Sequence, residues 1–150
     1  MSKKETKKPS VLMIAILAAT AALSSLAASA VVRTLFRTQG ENRSVDDVLA
    51  KAADETNRRL PMMLDQFTRL DSTAALPQGK LMYKYTIVNL NPLPDRNTLI
   101  DKMRPNMINT YKTSQDMAGL RKLRVTLVYK YADEKGNELA QFEVGPQDIQ

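Results

Sequence analysis

Two tyrosine pairs, Tyr83-x-Tyr85 and Tyr129-x-Tyr131, and a basic cluster of Arg121, Lys122 and Arg124, joined by Lys112, are the side chains of this sequence best suited to chemistry. Tyrosines sharing a face on neighbouring strands can stack nucleic-acid bases while lysines hold phosphate. Both pairs, however, continue the apolar alternation of their strands, with Leu81 and Ile87 beside the first and Leu123, Val125 and Leu127 beside the second. They are therefore expected in a core with their hydroxyls at its rim, and no nucleic-acid partner is expected. The basic cluster could engage an acidic partner or a lipid head group; its alternative is a solvated entrance to a strand.

Carboxylates gather at Asp46, Asp47, Asp54 and Glu55 and again between Asp133 and Glu138. Such groups could bind calcium or act as a general acid and base. Asp46 and Asp47 suit the start of a helix equally well, and the second group lacks the alternating ligands of a calcium loop. The chain has no histidine, cysteine or tryptophan. That removes the usual general base near neutral pH, the thiolate nucleophile and the nitrogen and sulfur ligands of zinc. No catalytic residue, metal site or cofactor is expected, and an enzyme built on carboxylates, lysine and tyrosine alone is the remaining catalytic reading.

These residues must be positioned by a domain over 44–150. Ser44 and Asp47 form a capping-box-like start, and Val45, Val48, Leu49, Ala52, Thr56 and Leu60 follow at helical spacing until Pro61. Leu76-Pro77-Gln78-Gly79 reads as a type I turn opening a hairpin whose second strand runs from Lys80 to Leu90. Asp95 should cap a second helix carrying Leu99, Ile100, Met103, Met107, Ile108 and Tyr111, with a kink or break at Pro105. A strand containing Leu123 to Tyr131, the turn Asp133–Asn137 and the segment Glu138–Val144 complete a second hairpin. The expected fold is α+β, in the order helix, hairpin, helix, hairpin. It has an antiparallel sheet of about four strands and both helices on one face. Leu81-Met-Tyr-Lys-Tyr-Thr86 echoes Leu127-Val-Tyr-Lys-Tyr-Ala132. Duplication of a helix-hairpin unit would produce this, as would two amphipathic strands selecting the same residues.

Ahead of the domain lie a lysine-rich tip over 1–10, an uncharged apolar stretch over 11–32 and a polar linker over 33–43. As a helix, 11–32 would extend roughly 33 Å, enough to cross the hydrocarbon core of a bilayer. Lys3, Lys4, Lys7 and Lys8 should hold the N-terminus in the cytoplasm, although Arg33 and Arg37 place positive charge on the other side. Ala28-Ser29-Ala30 has the form of a signal-peptide cleavage site, so a cleaved, soluble periplasmic binder or inhibitor is the alternative. Alanine and serine at four-residue spacing would let a second copy of this segment approach closely, as an alanine-rich helix also does by chance. The tip accounts for half of the net charge of +6.

Thr56-Asn57-x-x-Leu60-Pro61, Asp65-x-x-Thr68-Arg69-Leu70-Asp71 and the two tyrosine pairs together resemble a family of small exported or membrane-anchored bacterial proteins of uncharacterised function. The resemblance covers roughly Val45 to Ile149. It implies an envelope location and an α+β domain, and brings no catalytic residues. Relatives carry cysteines near the positions of Lys112 and Ile149, where this chain has none. The resulting expectation is an inner-membrane protein with its tip in the cytoplasm and its domain in the periplasm. That domain would bind an envelope protein without catalysing a reaction, and the bilayer would be contacted through 11–32.

Overall fold

The computed structural model describes residues 44–150. Helix α1 (Val45–Asn57) begins at the expected capping box. The Asp47 amide donates to Ser44 Oγ at 3.2 Å, and the Ser44 amide returns a bond to Asp47 Oδ2 at 3.3 Å. Leu49, Ala52, Ala53 and Thr56 are buried at i, i+3, i+4 and i+7, the spacing of one helical face. Helix α2 (Arg96–Thr113) is capped by Asp95 and buries Leu99, Met103, Met107 and Tyr111 at four-residue intervals. It runs continuously through Pro105, so of the kink or break expected there the break does not occur; tertiary packing of that face holds a helix that propensity alone would interrupt.

Five strands form one sheet in sequence order: β1 (Met62–Met63), β2 (Thr68–Leu76), β3 (Lys80–Ile87), β4 (Thr126–Asp133) and β5 (Glu138–Val144). Both expected hairpins are present, but they join through a parallel pair, β3 beside β4. The expectation of a wholly antiparallel sheet fails here for a topological reason. Helix α2 carries the chain back to the end at which β3 began, and a crossover of that kind delivers a parallel neighbour where a tight turn delivers an antiparallel one. The strand pattern that begins at Met62 is divided in the structure, into the short edge strand β1 and, after a break over 64–67, the longer β2.

The parallel pairing explains the internal echo. Leu81 lies opposite Leu127, Tyr83 opposite Tyr129, Lys84 opposite Lys130 and Tyr85 opposite Tyr131. The echoing segments occupy the second strand of one hairpin and the first strand of the other, which duplication of a helix-hairpin unit would not produce. Two strands sharing one core face have instead selected the same residues.

Helices α1 and α2 cover the tyrosine-bearing face, α1 over β2 and β3 and α2 over β5. The exposed edge of β2 is closed by a side chain: Thr73 donates its amide to Asn57 Oδ1 at 2.7 Å, and Asn57 Nδ2 donates to the Thr73 carbonyl at 2.9 Å. One amide group thus supplies the donor and acceptor that another strand would have offered. The C-terminal end, which no disulfide holds, is tied to α2 by Arg104. Its Nε donates to the Glu143 carbonyl at 3.3 Å and its guanidinium pairs with Asp148.

Candidate interaction site

The four strand tyrosines form the centre of the core rather than a surface. Tyr83, Tyr85, Tyr129 and Tyr131 are each at most 1% exposed, and Tyr85 and Tyr131 stack with ring centroids 4.9 Å apart. Tyr129 also packs against Phe142 at 5.3 Å. The expectation of hydroxyls at the rim is not met: the rings lie inside one buried cluster with Leu49, Ala52 and Ala53 of α1 and Leu99, Met103 and Met107 of α2. The hydroxyls of Tyr83 and Tyr131 are buried and have no hydrogen-bond partner among the described residues. Burial drives the pKa values of Tyr83, Tyr129 and Tyr131 far above the ordinary tyrosine value, and Asp65 adds to the rise at Tyr131. Only the neutral phenols are tolerated there.

The basic residues divide into two kinds. The segment expected to enter a strand is instead a short helix, α3 (Ala118–Lys122), and Leu123 is its C-cap rather than a strand residue. Arg121 faces the end of α2, where Nη1 donates to the Tyr111 carbonyl at 2.6 Å and to the Ser114 carbonyl at 2.7 Å. It satisfies acceptors that the last helical turn leaves open. Lys112 is exposed in the last turn of α2, and Lys122 is exposed on α3.

Arg124 is exposed, and its guanidinium makes no hydrogen bond or ion pair among the described residues. Its backbone has φ +56°, in the left-handed region. The Arg124 amide bonds the Arg121 carbonyl at 2.9 Å, and the Val125 amide bonds the Leu120 carbonyl at 2.9 Å. This is a Schellman termination with arginine at the position where glycine is the usual residue.

Arg124 and Leu123 line a shallow cavity of about 320 Å³ with Ser44, Val45, Asp46, Gln78 and Gly79. Three parts of the chain therefore meet at one end of the sheet: the start of α1, the β2–β3 turn and the exit from α3. Asp46 fastens the first two, accepting the amides of Gly79 at 2.7 Å and Gln78 at 3.3 Å, and the Thr126 amide, beyond the exit from α3, bonds the Gly79 carbonyl at 3.0 Å. Gln78 adopts φ +67°, which excludes the expected type I turn and is the sign that a type II turn requires at its third residue. Sequence reasoning missed this role of Asp46, whose place in the first helical turn already gave it an explanation.

Of the other clustered carboxylates, Asp47 caps α1, Glu55 pairs with Arg58 at 2.9 Å and Asp133 holds a turn. Asp133 accepts the amides of Lys135 and Asn137 and the side-chain amide of Asn137. The bond from the Asn137 side chain is the main reason its pKa lies below the ordinary value. At Asp95 the Thr98 hydroxyl has the same effect.

A family model described as Domain of unknown function (DUF8479) matches residues 44–140. The chain belongs to that family. The match begins at the cap of α1 and ends within β5, so it contains the tyrosine layer, the cavity and all four basic residues. No curated protein matches the chain. Among solved structures it is similar in fold to EpsS, the pilotin of the type 2 secretion system of Vibrio vulnificus. The identity is 8% and the TM-score 0.56, covering 71% of this chain and 92% of that one. AspS, the type II secretion pilotin of Vibrio cholerae, gives 8% and 0.53 over 69% and 91%. A protein of Pseudomonas aeruginosa provisionally described as secreted gives 13% and 0.53 over 71% and 93%. At these identities the likeness is one of fold.

Proposed function

We propose that this chain is a non-enzymatic binding module of the bacterial cell envelope, held at the inner membrane by residues 11–32 with its α+β domain in the periplasm. The observation that carries this reading is the fold held in common with two secretion pilotins, proteins of an envelope machine. That is an argument by fold analogy. Two features of the chain support it: the carboxylates of its caps and turns are engaged in backbone hydrogen bonds, and histidine and cysteine are absent. Arg124, Lys122 and Lys112 are the proposed contact with an acidic partner, while Arg121 joins them chiefly by holding α3 against α2.

Residues 11–32 lie outside the described residues, and among the described residues no helix is long and apolar enough to cross a membrane. The anchor therefore belongs to the proposal. A secreted neighbour and the Ala28-Ser29-Ala30 signal favour a second reading, in which the segment is cleaved and the domain is a soluble periplasmic binder. Intact mass after membrane fractionation separates them: full length in the membrane supports the anchor, and a soluble species beginning at Val31 supports cleavage. The binding role is tested by purifying the tagged chain from solubilised membranes. An envelope protein recovered with the native chain at a fixed ratio supports it; recovery of no protein above an untagged control refutes it.

A further inference from the structure

We infer that the acidic partner of the basic end is the headgroup surface of an anionic membrane, against which the domain rests by the end that carries Arg124. The inference rests on the anchored reading above and goes beyond it by giving the domain an orientation.

Four observations converge on it. Ser44, the residue through which the chain enters the domain from the apolar segment and linker, lines the same cavity as Arg124. The entry point and the basic end are thus one place, and Lys122 lies two residues before Arg124. A linker of about 11 residues spans at most roughly 38 Å, so the tether alone permits contact with the membrane but does not select the end that makes it. Charge supplies the selection. The Arg124 guanidinium makes no hydrogen bond or ion pair among the described residues, and Asp46, the one carboxylate that lines the cavity with it, is directed to the amides of the β2–β3 turn rather than to the guanidinium. The left-handed backbone at Arg124 is the fourth observation. Glycine would adopt it without strain, and arginine there keeps a cation at the cavity mouth.

The opposite end of the sheet differs. There the β4–β5 turn presents Asp133, Glu134 and Glu138 with Lys135 among them. Eight-residue strands place it roughly 26 Å from the basic end. Contact by the basic end leaves this turn directed away from the bilayer, accessible to a protein partner.

The test uses the full chain in vesicles of phosphatidylcholine, with and without phosphatidylglycerol. Because the chain has no cysteine, Ala118→Cys on α3 and Glu134→Cys in the far turn each provide a single site for a fluorophore. Lipids carrying a headgroup quencher report proximity. Expected is severalfold stronger quenching at position 118 than at 134 in vesicles containing phosphatidylglycerol. Reversal of Lys122 and Arg124 to glutamate should remove that difference, each basic residue being worth about fivefold near an anionic surface. Salt should weaken it as the screening length falls from about 10 Å at 0.1 M to about 3 Å at 1 M. Equal quenching at both positions, or quenching indifferent to the reversal while the chain stays with the vesicles, overturns the inference and leaves the anchor standing. A chain that does not float with neutral vesicles overturns the anchor and the inference together. Position 118 unquenched by lipid but protected when a protein partner is added assigns the basic end to that partner instead.

Discussion

The tyrosine layer and the basic end are written in residues that, taken singly, suggest the same things: contact with a nucleic acid, a headgroup or an acidic protein. Their surroundings give them opposite fates. Tyr83, Tyr85, Tyr129 and Tyr131 lie in register on adjacent strands and are sealed by two helices. Arg124 lies three residues from Arg121 on one short segment, yet Arg121 is held by two carbonyls while Arg124 reaches solvent. A side chain's type announces what it could do, and the local geometry of backbone acceptors decides whether it remains available.

The comparison is broken most forcefully by alkali. Tyr83, Tyr129 and Tyr131 have pKa values raised in the folded state by burial, so above the unfolded tyrosine value of about 10 the native chain binds more protons than the unfolded one. Stability is fully present below that pH and is lost as pH rises beyond it. Ultraviolet titration should show tyrosinate appearing together with loss of the circular dichroism signal; smooth ionisation of a folded chain near pH 10 would put the rings on the surface.

Replacing Tyr129 by alanine removes a ring packed against Tyr83, Tyr85 and Phe142. Urea unfolding should record a loss of about 3–5 kcal/mol. Arg121→Ala leaves the Tyr111 carbonyl at the end of α2 without its donor and the Ser114 carbonyl with the Met117 amide alone, and should cost about 1–3 kcal/mol in the same assay. Tyr131→Phe deletes a buried hydroxyl that has no partner among the described residues, so its effect should lie between nothing and about 1 kcal/mol of added stability. A large loss there would reveal a hydrogen bond made by that hydroxyl in solution.

How much of this was legible beforehand follows the range of the signals. Ser44, Asp47 and Asp95 act within three residues of themselves, and the caps they form were readable. So were the buried alternation of Leu81, Tyr83, Tyr85 and Ile87 and the turn following Asp133. The parallel joining of the hairpins was not, since it depends on the direction in which α2 returns the chain. The pairing of Asn57 with Thr73 spans 16 residues and leaves no local pattern. At the basic end the residue types stand out in the sequence, but Arg124 closes α3 without the glycine that marks such an ending, so the segment reads as a strand entrance and nothing local separates Arg121 from its neighbours.

Arg124→Gly in the full-length chain tests the account's central claim most directly, because it sets the fold against the function at one position. The account predicts a stability gain of about 1 kcal/mol in urea unfolding, from relief of a left-handed backbone. It also predicts weaker, less salt-sensitive association of the domain with vesicles containing phosphatidylglycerol. A loss of stability with association unchanged would contradict it, placing Arg124 with Arg121 among the residues that hold the fold.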